Sequence, residues 1–388
     1  MRSKLLSLAN NTKFQWGFML LFAGLITAQR LLVANEGFSH TLYNNYLIFQ
    51  QSFFHLLENE DLYKAYPQEH YDLFKYSPSF ALFMGVIAYF PVWIGLFLWN
   101  SLNVFVLFLG LKKLKFTRNN GFVFASLFVL IELITTTQNS QSNALIAGLI
   151  LLAFDSLENS KVSRSAWMLI ATVFIKLFGL VAFVLYLFYP KKIKSGLLVI
   201  FWVVVLSAIP LLFIDTQSLY YQYISWLNLL GNDHSNELKF SVMGFLNSWF
   251  GVPAEFKNYI LLLGVFLFVI PLIKIKSYKV LRYKQLYTAS VLLWVVLFNH
   301  MAESATFILA VTGISVWYFT KNEVTLLDKF LMLLTVLFTL LSPSDIYPEF
   351  IRKMYFIPYT VKVIPCILVW LKINFELLIV NEKIKKSS

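Results

Sequence analysis

The chain has 388 residues, of which 59% are hydrophobic, 18% aromatic and only 13% charged, with a mean hydropathy of +0.68. An ordinary soluble domain does not carry that balance, so the sequence reads as an all-α polytopic membrane protein. The net charge of +12 does not point to nucleic acid, because the lysines and arginines fall in short clusters between apolar runs, as cytoplasmic loops do under the positive-inside bias.

The basic start (Arg2, Lys4, Lys13) precedes an apolar run at 14–33 with no small-residue cleavage site. It reads as a first span, with a signal peptide as the alternative. Arg30, near the outer end of that span, should snorkel or face a cavity. Residues 35–78 then lie outside and hold much of the chain's aqueous polar chemistry: Glu58, Glu60, Asp61, Glu69, His70, Asp72 and Lys75 among many tyrosines and phenylalanines. From Tyr76-Ser77-Pro78 an apolar run reaches Leu111, too long for one helix and broken at Pro91. Were both halves to span, the cluster Lys112, Lys113, Lys115, Arg118 would face outward. Residues 79–89 are therefore expected as a short interfacial helix, closing a first outer loop at 35–91, with the second span at 92–111.

Spans at 121–136 and 143–157 follow, joined by the outer hairpin TTTQNSQSN. Two short spans at 166–176 and 177–189 meet at Lys176-Leu177-Phe178-Gly179. A span at 197–214 leads into a second outer loop at 215–257, containing Asn232-Asp233-His234, Glu237 and Lys239. The remaining spans are expected at 259–273, from 291 to 298, then one returning to Lys321, at 330–341, and lastly one ending near Lys372. About twelve spans result, in one membrane domain covering 1–388. Both termini lie inside, and every basic cluster falls on one side. The single cysteine, Cys366, lies in an apolar run, so neither a disulfide framework nor a thiolate metal site is expected.

No nucleotide-phosphate loop, zinc-helix motif or nucleophile elbow occurs. What remains is a set of polar groups at the outer ends of apolar spans, each with a bland reading beside a functional one. The stretch 44–57 has an apolar stripe at Tyr46, Phe49, Phe53 and Leu57, as an interfacial amphipathic helix would, or it is the lid of a site. Gln141 and Asn143 suit a helix cap. Lys176 is harder to dismiss, because a cation at the junction of two short helices is costly unless it meets an anion such as a lipid phosphate. His300 and Glu303, three apart at the start of a span, are expected on one helical face. Glu132, within a span, reads as structural.

Taken in order, these residues resemble the family 87 glycosyltransferases of the membrane-embedded GT-C class. The family's first outer loop begins with Asp-Phe, runs through an aromatic amphipathic helix to a Tyr, and ends in Tyr-x-Pro before the next apolar run. The corresponding residues here are Asn45-Tyr46, Asp61-Leu62-Tyr63 and Lys75-Tyr76-Ser77-Pro78. Its Gly-Gln-x-Asn motif appears as Ser140-Gln141-Ser142-Asn143, its later lysine as Lys176 and its late histidine as His300. The likeness covers roughly residues 14–310.

The resemblance implies a GT-C-like bundle that moves a sugar, mannose first among the options, from a polyprenyl-phosphate donor to a lipid or glycan acceptor. The active site would face the outside of an inner (plasma) membrane. Lys176, with Arg30 or Lys75, would hold the donor phosphate. Asn45, Tyr76, Gln141, Asn143 and Glu303 would line the pocket, and no cofactor or metal is implied. One departure stands out. The family's loop aspartate, its presumed general base, falls on Asn45, and an amide cannot take a proton from a hydroxyl. Either Asp72, Glu69 or His300 serves, in that order, or the chain has lost transferase activity. A flippase of lipid-linked sugars and a silent homologue within an envelope-assembly complex are the other readings.

Overall fold

A computed structural model of the chain describes residues 10–33, 41–117, 120–232 and 237–380, which form helices and turns with no β-strand among them. Arg118, Asp233, His234 and the terminal lysine clusters fall outside the described residues. Among the described residues, four helices are long and apolar enough to cross a membrane: Val92–Lys112, Gly121–Gln138, Lys192–Leu212 and Ala254–Ile273. In Lys192–Leu212 only 11% of the apolar window is buried, leaving Leu197, Ile200, Phe201, Val204 and Leu212 exposed. In water such a face would be ruinous; in a bilayer, where a helix satisfies its own backbone, it is the ordinary state of a lipid-facing side. The chain is a membrane protein on this ground.

Punctuation follows local chemistry. Asn11 accepts from the backbone N–H groups of Lys13 and Phe14, starting helix Thr12–Leu32. Ser77 caps Pro78–Ala88, whose first residue is a proline that needs no N–H there. Helix Val92–Lys112 starts directly after Pro91, so the long apolar run breaks where the sequence predicts. Asp215 caps Thr216–Asn232 through the N–H groups of Gln217 and Ser218 and the Ser218 hydroxyl. The Ser218 hydrogen bond also holds the Asp215 carboxyl below its ordinary range. The stretch 215–257, expected as a loop, is thus largely helical, with Thr216–Asn232 and Val242–Phe250 inside it.

Three expectations change. Helix Leu281–Leu297 starts ten residues before 291, because Tyr283 and Tyr287 are buried and donate to the Pro271 and Phe268 carbonyls. The last helix, Val363–Ile379, continues through Lys372, which lies 3.7 Å from Glu376 one turn on; Glu376 also meets Arg282 and Lys321. Finally, His300 and Glu303 share no helical face. His300 sits in a turn, Glu303 caps the short 3₁₀ turn Ser304–Thr306, and helix Phe307–Phe319 begins only after it.

The chain divides into two compact units. The first comprises Met1–Gly110, Ile134–Leu180 and Ile193–Ser235. Its core gathers Tyr46, Phe49, Phe80 and Trp99, with Phe49 edge-on to Phe80 and Trp99 at 5.3 and 5.4 Å. Glycine is required at 148: a Cβ there would lie 2.5 Å from the Val106 backbone, which is how closely helices Val92–Lys112 and Asn143–Glu158 approach.

The second unit comprises Leu111–Leu133, Val181–Lys192 and Asn236–Ser388. Its core is Leu281–Leu297, Phe307–Phe319 and Val363–Ile379, with Trp317 and Trp370 fully buried and Trp370 donating to Ser290 Oγ at 3.0 Å.

Candidate functional site

In the first unit, helix Val162–Ile175 stops because Lys176 turns extended (φ −145°, ψ 141°), its N–H still donating to the Thr172 carbonyl. The following turn needs Gly179, where a Cβ would overlap Thr172 Oγ1. The Tyr76-Ser77-Pro78 turn docks on the same helix end: Ser77 N–H donates to the Phe174 carbonyl at 3.2 Å. Tyr63 Oη anchors that turn by donating to the Tyr76 carbonyl at 2.9 Å. Lys176 Nζ stands 5.7 Å from the Tyr76 ring centre and 5.6 Å from that of Phe178, a cation against two aromatic faces.

The 138–143 hairpin supplies the rest. Lys176 Nζ donates to Asn143 Oδ1 at 3.0 Å, and Asn143 Nδ2 donates to Gln141 Oε1. Asn143 is buried and is not a helix cap; it relays between Gln141 and the lysine. Three carbonyls of the hairpin are tied down from other helices: Arg30 Nε donates to Gln138 O at 2.9 Å, Asn45 Nδ2 to Asn139 O at 2.8 Å and Trp99 Nε1 to Ser140 O at 2.8 Å; just past it, in the helix that follows, Leu145 N–H donates to Asn103 Oδ1 at 3.0 Å. Asn45 therefore uses the hydrogen that an aspartate at this position would lack. Arg30 latches the hairpin through Nε.

The loop between helices Asn44–Leu57 and Pro78–Ala88 separates the two acidic candidates. Glu69 pairs with His55 Nε2 at 2.9 Å, with Glu60 at 3.9 Å from the same nitrogen, while Tyr66 stacks on His55 at 3.8 Å. Burial, with Glu60 next, holds the Tyr66 hydroxyl protonated well above its ordinary range. Burial also keeps the His70 imidazole below its usual pKa, outweighing an Asp72 backbone hydrogen bond and nearby Glu69.

Asp72 is exposed, with Oδ1 accepting from Leu73 N–H. Its neighbour Tyr71 donates its N–H to Asn44 Oδ1 at 2.9 Å, so the 71–72 segment lies against the start of helix Asn44–Leu57, beside Asn45. Lys75 is exposed and joins the fold through its carbonyl, which accepts from Trp226 Nε1.

Helix Thr216–Asn232 clasps this loop, a role absent from the sequence reading. Buried Gln222 accepts from Leu62 N–H and donates to the Glu60 carbonyl, and Tyr221 and Ser225 donate to Asp61 Oδ2. Gln222 could have been suspected only from its place in an otherwise amphipathic stretch.

In the second unit, His300 and Glu303 lie on a short loop stitched to 239–240 by the Lys239 and Phe240 N–H groups, which donate to the His300 and Ala302 carbonyls. Lys239 Nζ is 3.5 Å from Glu303. Beneath the loop lies an ion pair that sequence reasoning missed on one side. Glu132 meets Lys362 at 2.8 Å, and Lys362 Nζ also donates to Ser304 Oγ and O at 2.8 and 3.2 Å. Glu132 is structural, as expected. Lys362 carried part of the signal that Lys176 did, a lysine alone in a largely apolar stretch. A further network joins Arg282, Lys321, Asp328 and Glu376, with Lys321 at 2.7 Å from Asp328 and 2.6 Å from Glu376. Among the described residues no group of three or more His, Cys, Asp or Glu side chains is placed to hold a metal ion.

The first-unit arrangement offers a half-buried ammonium fixed by a buried amide beside an aromatic turn. Such a group stabilises a phosphate or another developing negative charge. A comparison with curated proteins returned no match. A family model described as glycosyltransferase family 87 matches residues 74–343, beginning just after most of the first outer loop and taking in Tyr76, Gln141, Asn143, Lys176 and His300. That stretch is well over half of the 388 residues, and the chain belongs to glycosyltransferase family 87.

Proposed function

We propose that this membrane glycosyltransferase takes its sugar, mannose as the first donor to try, from a polyprenyl-phosphate carrier and passes it to a lipid or glycan acceptor on the outer face of the membrane. The enzyme would be of the GT-C type, with about twelve spans and both termini cytoplasmic, in an inner (plasma) membrane. The observation that carries the donor assignment is the Lys176–Asn143–Gln141 chain against Tyr76: a lysine oriented by a buried amide at a helix break suits a phosphate ester better than a structural counter-ion.

Asp72 takes the acceptor's hydroxyl proton. The freed oxygen bonds to the anomeric carbon, the bond from that carbon to the phosphate oxygen breaks, and polyprenyl phosphate departs with the added negative charge. Lys176 faces that charge as it develops, the kind of preorganised stabilisation that contributes about 10²–10³ in rate. Asp72 is preferred to Glu69 because Glu69 is held by His55, whereas Asp72 sits one residue from the Tyr71–Asn44 bond, beside the position where the family keeps its acid. Arg30 and Asn45 keep the hairpin in place, and Lys75 remains a second cation for the donor. His300 and Glu303 are assigned no step.

The test is turnover. Purified protein is incubated with polyprenyl-phosphomannose, then with other polyprenyl-phosphate sugars, against a panel of glycolipid acceptors. A product that Asp72→Asn abolishes supports the assignment. Absence of product with every donor, or lipid movement across proteoliposomes without chemistry, overturns it.

A further inference from the structure

A cavity of about 550 Å³ opens in the second unit, lined chiefly by Trp249, Phe338, Tyr355, Phe356, Tyr359 and Ile364. Its size lies within the range of about 300–1,000 Å³ common to ligand pockets. Its walls are unusual in their backbone. Phe338 comes from the π-helical stretch Thr335–Leu340, and Tyr355 and Phe356 come from a second one, Arg352–Phe356. The π turn is rare because its wider i→i+5 bonding packs poorly, and it recurs at functional sites; here two of them splay aromatic side chains around one space. The end of the cavity is also fixed. Trp249 Nε1 donates to the Tyr359 carbonyl at 2.7 Å, and Thr360, a β-branched residue, is held at a φ of +47°, a conformation that persists only where neighbours enforce it.

The occupant follows from the surroundings. Phe330, Leu333, Phe350, Met354 and Ile357 are exposed and extend the apolar lining onto the outer surface of a membrane protein, so what reaches the cavity comes from the bilayer. In the stretch that supplies Tyr355 and Phe356 the charges cancel: Arg352 pairs with Asp345 and Lys353 with Glu349, each at 2.6 Å. A head group is not selected by its charge there, which leaves the hydrocarbon chain as the part recognised. Most of the lining, from Tyr355 onward, lies past the end of the family match at 343.

We propose that this cavity holds one acyl chain of a bilayer phospholipid, which stays with the protein as a bound lipid. The full chain, in detergent, is loaded from vesicles of equal parts phosphatidylcholine and phosphatidylglycerol, washed, and examined by native mass spectrometry. One phospholipid of either class should remain. Leu334→Trp and Ile364→Trp, which fill the space, should reduce retention at least tenfold, while Leu263→Trp, on the exposed face of helix Ala254–Ile273 and outside the lining, leaves it unchanged. Equal retention in the filled variants, a strict preference for one head group, or no retained lipid in the wild type overturns the proposal.

Should the filled variants fail to fold, wild-type protein is photolysed with phosphatidylcholine carrying a diazirine on its acyl chain. Adducts on Trp249 or within 334–365 support the site, and adducts confined to other segments refute it. Neither readout uses sugar transfer, so each is independent of the proposed reaction.

Discussion

Lys362→Met should unfold the second unit more easily than any exposed substitution. Lys362 and Glu132 are only 2% and 1% exposed, 2.8 Å apart, and the second carboxylate oxygen of Glu132 has no protein partner. Removing the lysine leaves the carboxylate with neither oxygen bonded and also deletes both bonds to Ser304. Breaking a buried pair from one side costs about 3–5 kcal/mol, and at about 1.4 kcal/mol per decade that lowers the folded-to-unfolded ratio by roughly two to three and a half orders of magnitude.

Pairing Lys362→Met with Glu132→Met should recover most of that loss, since a buried ion pair replaced by apolar groups is often neutral or stabilising. Unfolding by denaturing detergent in mixed micelles, followed through tryptophan fluorescence, gives the four corners of the cycle. A single variant within about 0.5 kcal/mol of wild type, on the scale of an exposed substitution, would refute the reasoning. A double variant as unstable as the singles would shift the role from charge pairing to the Ser304 tie.

Other expectations follow from particular contacts. Lys176→Ala should lower kcat/KM by about 10²–10³ with little change in unfolding; a comparable loss of stability would make the residue a structural counter-ion. Asn45→Asp removes the donor to Asn139 O and should cost about 1 kcal/mol without raising turnover, so an increase in rate would mean the position still serves as a base. Gly148→Val drives a side chain into the Val106 backbone and should abolish folded expression, which size-exclusion profiles of the tagged protein would show.

His70, with its pKa held below the ordinary value of about 6.5, binds its proton less readily when folded. The unfolded chain then takes up more protons as pH falls below about 6.5, and stability should decline over that range and not above it. His70→Gln should flatten that dependence, and a decline that appears only above pH 7 contradicts it.

Much of the helical plan was legible because prolines and lysines interrupt apolar runs. Pro91 ends one element and starts another, and Lys176 marks a helix break, each for a reason local to the residue. The order Tyr76, Gln141, Asn143, Lys176 was also legible, although their convergence depends on a hairpin latched from Arg30, Asn45 and Trp99 over long sequence separations. Partners are what a linear pattern conceals. Lys372 reads as the end of a span until Glu376 is seen to gather three cations, and Arg30 gives no sign in the sequence that its Nε reaches the Gln138 carbonyl. The pairing of His300 with Glu303 assumed helix where the chain makes a turn first, since nothing in the sequence there distinguishes the two.

The claim that Lys176 holds a donor phosphate is tested most directly by binding. Polyprenyl phosphate, titrated into wild-type protein and into Lys176→Gln, should bind the wild type saturably and the variant at least tenfold more weakly, with a thermal shift that shrinks in parallel. Equal affinity in the two proteins would contradict the account.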